Sequence, residues 1–220
     1  MNGMVVSVTV GKVRMMSSPE AARADLRGPA WSTGIFKLPV EGAVRVTRTG
    51  IEGDGQADLK NHGGPDNVIL AYAAGHYPVW RKELGIAELA YGSFGENVTI
   101  EGDFADETVC VGDVWKIGDV VLEVSQPRQP CWKLARRLER ADIVDKVMER
   151  GWGGWYSRVI LEGSIGEGMQ VELVERKYPE WPVVRAVRAM YERKNSRGPA
   201  RELAQVAELS ARWKRELLEG

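Results

Sequence analysis

From the N-terminus to about residue 175, apolar residues recur at every second position in short runs, and glycine–aspartate pairs punctuate the runs. Val6, Val8 and Val10 alternate with Ser7 and Thr9; Val44 and Val46 alternate with Arg45 and Thr47; Val120, Leu122 and Val124 lead up to Ser125. A two-residue period puts one set of side chains on one face of an extended chain, so each run reads as a half-buried strand. Further strands are predicted at 68–72, 97–100, 114–117, 158–161 and 170–174, with turns at Gly53-Asp54, Gly102-Asp103, Gly112-Asp113 and Gly118-Asp119. Many short strands leave open edges unless the sheet closes on itself. The pattern therefore predicts a mainly β protein, a closed or nearly closed β-barrel. Two helices are expected as insertions, one around 76–84 and one from Trp132 to about Arg150.

The texture changes after Val174. From Glu175 onward there are 11 Lys or Arg against 7 Glu, and strand-like alternation stops. Val183, Val187, Met190 and Tyr191 share one helical face, as do Leu203, Val206, Trp213 and Leu217, with a break expected at Asn195-Ser196-Arg197-Gly198-Pro199. We divide the chain into a barrel domain, 1–175, and a C-terminal all-α extension of two or three helices, 176–220.

Composition removes several kinds of chemistry. A chain of 220 residues can bury a proper core without staples. Its two cysteines, Cys110 and Cys131, form no Cys-x-x-Cys, zinc finger or disulfide framework, and two histidines, His62 and His76, cannot supply a three-His zinc site. There is no signal-peptide pattern and no apolar stretch of membrane-spanning length, so a soluble, cytoplasmic protein with no membrane partner is expected. The net charge of −1 argues against a whole-surface nucleic-acid or membrane binder.

The most informative segment is Ser125-Gln126-Pro127-Arg128-Gln129-Pro130-Cys131-Trp132-Lys133. A strand runs into a proline-stiffened loop, and Cys131 opens a helix. Unpaired N–H groups, the helix dipole, Arg128 and Lys133 all favour a thiolate there, able to act as nucleophile or soft-metal ligand. The plainer alternative is a structural cysteine, which is how Cys110, in an apolar strand pattern, is read. A second segment, Lys60-Asn61-His62-Gly63-Gly64-Pro65-Asp66, makes a tight turn whose Gly63 and Gly64 backbone N–H groups, beside Lys60 and His62, form an anion cradle or only a turn. The upstream Asp54, Gln56 and Asp58 fail as a calcium loop, because the twelfth position is Pro65. Lys37, in Thr33-Gly34-Ile35-Phe36-Lys37, reads by itself as a solvated charge. Gly151-Trp152-Gly153-Gly154-Trp155-Tyr156 lacks nucleotide-loop spacing and offers either a stacking platform for a flat heterocycle or core anchors.

Taken together, these phrases resemble the MOSC domain, the β-barrel module related to the C-terminal domain of molybdenum cofactor sulfurase. The matching phrases are Thr33-Gly34-Ile35-x-Lys37, Gly50-Ile51-Glu52-Gly53-Asp54, His62-Gly63-Gly64-Pro65-Asp66, Phe94-Gly95-Glu96-Asn97, Val111-Gly112-Asp113, Gln126-Pro127-Arg128-x-Pro130-Cys131-x-Lys133 and Gly154-Trp155-Tyr156-x-Arg158. A barrel followed by a short helical extension looks like the YiiM-like branch of that superfamily. The resemblance implies a molybdenum cofactor, Mo held by a pterin dithiolene, with Cys131 as the protein's metal ligand. It implies a basic pocket for the pterin phosphate drawn from Lys37, Lys60, His62, Arg128, Lys133 and Arg158, with Gly63 and Gly64 as backbone donors and Asn97 hydrogen-bonding the pterin or capping a loop. The implied reaction is reduction of small N-hydroxylated compounds, such as hydroxylaminopurines, N-hydroxylated cytosines or amidoximes, to amines. His62 would be the acid that helps oxygen leave as water, and electrons would come from an external electron-donor protein. The alternative is a cofactor carrier or sulfur-transfer protein using a Cys131 persulfide. For the extension, a nucleic-acid-binding helix-turn-helix around Arg193, Lys194, Arg197 and Arg201 is the less favoured reading; a cap on the barrel or a docking face for the donor is preferred.

Overall fold

The structure, a computed structural model, describes residues 1–17 and 28–219. The strands are β1 (Asn2–Val10), β2 (Arg14–Ser17), β3 (Ala30–Thr33), β4 (Leu38–Pro39), β5 (Val44–Thr47), β6 (Gly50–Ile51), β7 (Ile69–Ala73), β8 (Val98–Gly102), β9 (Val114–Ile117), β10 (Val120–Pro127), β11 (Trp155–Leu161), β12 (Gly163–Ile165) and β13 (Gln170–Glu175). The helices are α1 (Leu59–His62), α2 (His76–Leu84), α3 (Trp132–Leu138), α4 (Ile143–Arg150), α5 (Val183–Glu192), α6 (Arg197–Ala204) and α7 (Ala211–Leu218). No described helix is long and apolar enough to cross a membrane.

Seven strands close into a barrel in the order β13-β9-β10-β11-β7-β8-β1, with β1 returning to β13 through Asn2 opposite Glu172 and Met4 opposite Gln170. Every barrel pairing is antiparallel except β7 with β8. Parallel neighbours cannot be joined by a hairpin, and α2 lies on the connection between them. The inward residues, among them Val5, Val8, Ile100, Trp115, Ile117, Leu122, Val124 and Trp155, make one apolar cluster.

The expected alternation holds along β5, β9 and β10, where Val44 and Val46, Trp115 and Ile117, and Val120, Leu122 and Val124 are the buried members. It fails in β1. The register with β8 shifts between Val5 and Ser7, so Val5 rather than Val6 joins the core, and Ser7 and Thr9 are buried as well. The helix expected from 132 to about 150 is two helices. Glu139, at φ 54°, ends α3, and Arg140 turns the chain by donating to Asp142 and to the Leu84 carbonyl. The break lets Leu134 and Leu138 meet Ile143 and Val147 against Trp80 and Tyr77 in a second apolar cluster.

The C-terminal helices number three. Their shared core comprises Trp181, Ala186, Met190, Leu203, Val206, Trp213 and Leu217. Tyr191, expected on the buried face, is 37 % exposed. The break lies ahead of Arg197, because Arg197-Gly198-Pro199 forms the first turn of α6, where a proline lacks no needed hydrogen bond. Val183 and Val187 of α5 pack into the barrel cluster, and the Val183 N–H donates to the Val109 carbonyl at 2.8 Å.

Candidate active site

A cleft opens where the loops after β3, β6 and β10 converge with the segment that leads into β8. Its walls include Ile35, Lys37, Asp54, Gln56, His62, Asn97, Arg128, Cys131, Lys133 and Tyr156. Three backbone segments approach so closely that only glycine fits: a Cβ on Gly34 would lie 2.1 Å from the Gly55 carbonyl oxygen. The Gly55 N–H in turn donates to the Gly11 carbonyl at 2.9 Å.

Asp54 organises this wall. Its carboxylate accepts the Gly11 N–H at 2.7 Å, Asn97 Nδ2 at 2.9 Å, and Lys37 Nζ at 2.6 Å to each oxygen. Lys37 is therefore a buried, paired ammonium and not a solvated charge. Burial lowers its pKa against the opposing pull of Asp54. Asn97 is likewise committed, accepting the Leu70 N–H through Oδ1 and donating to the Thr9 carbonyl.

Arg128 forms the opposite wall and is 5 % exposed. Its N–H donates to the Gly154 carbonyl at 2.9 Å and Nη2 to the Phe94 carbonyl at 3.0 Å, while Nη1 is buried without a hydrogen-bond partner. Both supports are themselves fixed. Glu96, fully buried, accepts the Gly92 and Phe94 N–H groups and the Tyr77 and Thr99 hydroxyls, holding the loop that carries Phe94. Asp106, also fully buried, accepts the Gly154 N–H at 2.8 Å and lies 2.9 Å from His76 Nε2. The His76 ring stacks on Trp152 at 4.0 Å. In the Gly151–Tyr156 loop, Trp152 and Trp155 are thus core anchors, and Tyr156 alone reaches the cleft.

Cys131 precedes α3 in extended conformation (φ −115°, ψ 166°), makes no side-chain cap hydrogen bond and is half-buried at the cleft wall. Cys110 is core, and burial pushes its thiol up to about 11. His62 also lines the cleft. Burial lowers its pKa, and Arg128, Lys133 and Arg212 push the same way against Asp58. The resting acid expected there would have to be an imidazolium, which this cationic, buried setting disfavours; the imidazole is neutral at neutral pH. Burial raises the Tyr156 phenol, which keeps its proton.

Other expected site residues lie elsewhere. Lys60 is exposed and outside the cleft wall. Gly63 and Gly64 act as a turn: the Gly63 N–H is taken by the Leu59 carbonyl at 3.2 Å, and Asn67 closes back on both glycine carbonyls. Arg158 pairs with Asp66 at 2.7 Å and Glu123 at 2.5 Å and donates to the Glu208 carbonyl at 2.9 Å, binding the barrel to the helices. Asp54 and Tyr156 went unassigned from sequence, although both stand in the quoted phrases; the signal for Asp54 was an acid set between two glycines, Gly53 and Gly55, in a segment that also carries Glu52 and Asp58.

Among the described residues, no three His, Cys, Asp or Glu side chains converge to hold a metal ion. Arg128, Lys133 and Cys131 instead form an electropositive cleft bearing one soft ligand, with a buried guanidinium N–H still to be satisfied. Such donors fit an anionic cofactor that brings most of its own metal ligands.

The family model for the MOSC domain matches residues 58–172, and that for a YiiM-like, 3-alpha helix domain matches residues 181–219. The chain belongs to the MOSC-domain family, whose association with the molybdenum cofactor points to a function related to that cofactor. It is 41 % identical to the uncharacterized protein YflK of Bacillus subtilis, over 96 % of this chain and 90 % of YflK. A Gibberella moniliformis protein named Reductase is 36 % identical over 80 % of this chain, which spans only 31 % of that protein. The crystal structure of YiiM from Geobacillus stearothermophilus superposes with a TM-score of 0.81 at 29 % identity, covering 99 % of this chain and 98 % of YiiM.

Proposed function

We propose that this protein binds the molybdenum cofactor in the Cys131 cleft and reduces small N-hydroxylated compounds to the corresponding amines. The observation that carries the reading is Arg128 Nη1, buried beside a half-exposed thiol and without a partner. An unpaired buried donor costs about 1–3 kcal/mol unless a ligand satisfies it, and a phosphate oxygen is the natural acceptor for a guanidinium. Arg128 and Lys133 would hold the terminal phosphate of the pterin, and Cys131 would complete the metal's sulfur ligands. When bound, the cofactor supplies the two-electron, oxygen-accepting redox chemistry.

The chain's own residues orient and exclude. Lys37, Asp54 and Asn97 fix the wall facing Arg128, with both Asp54 oxygens taking Lys37 Nζ, so Lys37 serves first to hold that wall. Neutral His62 and the protonated Tyr156 phenol offer N–H and O–H donors to the departing hydroxyl oxygen. The overall reaction, N–OH plus two electrons and two protons to N–H plus water, requires an external electron-donor protein, and the protons enter from solvent.

The test is protein purified from a cofactor-competent host, assayed for bound molybdenum and for loss of the N–OH group under a strong artificial reductant. Wild type should carry Mo and turn over; Cys131→Ala should lose turnover, and Arg128→Gln should lose cofactor retention. Normal turnover by Cys131→Ala would sink the reading. Mo retention without any reduction, together with cyanide-releasable sulfur on Cys131, would favour carriage or sulfur delivery.

A further inference from the structure

Two buried carboxylates hold Arg128 from opposite ends. Asp106 accepts the Gly154 N–H, and the Gly154 carbonyl takes the Arg128 N–H, which fixes where the side chain starts. Glu96 acts where it finishes. It is fully buried, and its two oxygens divide their partners unequally: Oε1 accepts the Gly92 N–H at 2.7 Å, the Thr99 hydroxyl at 3.1 Å and the Tyr77 hydroxyl, while Oε2 accepts the Phe94 N–H at 3.1 Å. Among the described residues, the Phe94 carbonyl is the one hydrogen-bond partner of the Arg128 guanidinium, 3.0 Å from Nη2. Phe94 therefore joins a carboxylate to a guanidinium through its own N–H and C=O, and its ring is held by stacking on Tyr72 at 4.8 Å. Four donors on one side chain need an acceptor-only group, which a carboxylate is and an amide is not.

From this geometry, and resting on the cofactor site proposed above, we infer that Glu96 is a positioning residue for the anion-binding arm of the cleft: its grip on Phe94 aims the Arg128 guanidinium so that Nη1 is kept for a phosphoryl oxygen of the bound ligand. A guanidinium on a mobile chain loses rotamer freedom when it binds, which costs affinity; one already tied at Nη2 has lost that freedom on folding. The tie also settles which edge of the fork is left, and Nη1 is the buried nitrogen without a partner. Two glycines make the grip possible. Gly92 at φ 87° and Gly95 at φ 83° turn the loop back on itself, so that the Glu96 carboxylate faces the N–H groups of Gly92 and Phe94. Glu96 itself does not line the cleft, so it acts on a ligand through Arg128 and not by contact. A loop strut with no bearing on Arg128 would change stability and leave anion affinity alone, which separates the two roles experimentally.

The test uses the full chain from a host that makes no molybdenum cofactor, with 13C-labelled histidine, titrated with inorganic phosphate at constant pH and ionic strength. His62 lines the cleft with Arg128 and is one of two histidines, so its signal reports filling of the site, and the buried His76 serves as internal reference. Saturable movement of the His62 signal is expected. In Glu96→Gln the amide keeps its oxygen on the three-donor side and turns Nε2 against the Phe94 N–H; phosphate affinity should fall about fivefold, the cost of ordering one long side chain on binding. In an Arg128→Lys background, which binds more weakly but keeps the charge, the same substitution should change affinity by less than about twofold, because Glu96 acts through the guanidinium fork. Val171→Ala, a core truncation on β13, is the comparator: it should lower the urea midpoint and leave phosphate affinity unchanged. Glu96→Asp, which draws the carboxylate back from Phe94, carries the same expectation as Glu96→Gln and replaces it should the amide variant fail to fold. Unchanged affinity in the folded Glu96 variant, or an equal loss in both arginine backgrounds, would overturn the inference in favour of a loop strut. Absence of any His62 movement in the wild type would overturn it as well. The cofactor reading is decided separately, by molybdenum content and turnover of wild type from a cofactor-competent host.

Discussion

Replacing Asp54 by asparagine separates the charge of the cleft wall from its shape. Lys37 Nζ lies 2.6 Å from both carboxylate oxygens, and each side chain is 8 % exposed. At an effective dielectric constant of about 20, unit charges this close attract by about 6 kcal/mol. Desolvation offsets much of that, so the pair differs little in stability from an apolar substitute; stranding one of its charges costs about 3–5 kcal/mol. Asparagine retains an oxygen for one of the three donors but leaves the ammonium without a counter-charge. We expect Asp54→Asn to lose about 3 kcal/mol in urea unfolding at neutral pH, and Lys37→Met a similar amount. The double variant should lose less than the sum, with a coupling of about 2 kcal/mol or more. The pH dependence has a definite sign. Lys37 titrates in the folded protein below the ordinary value of 10.5, so between the two values the unfolded chain binds more protons and stability rises with pH. In Asp54→Asn that window extends to lower pH. Additive single losses, with coupling under about 0.5 kcal/mol, would refute the view of Asp54 as a charge partner and leave it only a hydrogen-bond acceptor.

Three further outcomes follow from particular contacts. Gly34→Ala should lower the melting temperature through a loss of about 2 kcal/mol or more, because its Cβ meets the Gly55 carbonyl, whereas Gly198→Ala, in α6 with nothing within 4 Å, should be neutral or stabilising by up to about 1 kcal/mol. The His62 imidazole titrates below its ordinary 6.5 when folded, so the unfolded chain binds more protons as pH falls through that window; stability drops on acidification, and His62→Gln should flatten that limb of a pH series of urea titrations. Arg158→Met should lose about 2 kcal/mol, since it removes the partner of Glu123, which is 13 % exposed, and the bond to the Glu208 carbonyl; an unchanged urea midpoint would show that bridge to be energetically silent.

Local periodicity carried the barrel. Strands β5, β9 and β10 were legible because their two-residue alternation is uninterrupted, and closure followed from the number of short strands. The bulge in β1 was not, because the extra residue is set by pairing with β8, a partner some ninety residues away. The helix break at Glu139 was invisible for a similar reason: Leu134, Leu138, Ile143 and Val147 keep near-helical spacing, and the turn is imposed by packing on Trp80. In the site, the proline-bounded loop marked Arg128, Cys131 and Lys133 locally. Lys37, Lys60 and Arg158 look alike as sequence, all basic residues in family phrases, yet one is buried against Asp54, one faces solvent and one ties barrel to helix. Those fates depend on acids 17 to 92 residues distant, which no local pattern reports.

The seam between the two family segments is more intimate than a linker. The Val111 N–H donates to the Trp181 carbonyl, Ser210 bonds the Ser125 carbonyl and Gln126, and Val183 and Val187 share the barrel's apolar cluster with Trp115. Strand β10 thus anchors the helices at Ser125 and Gln126 immediately before it yields Arg128 and Cys131. These contacts predict that the two segments melt together in a single transition, and that a barrel grafted onto another relative's helices carries a mismatched wall beside its cysteine loop; two separate calorimetric transitions would show the seam to be weak. Any shift of the helical cap is thereby transmitted, through the strand that holds it, to the loop that carries Arg128 and Cys131.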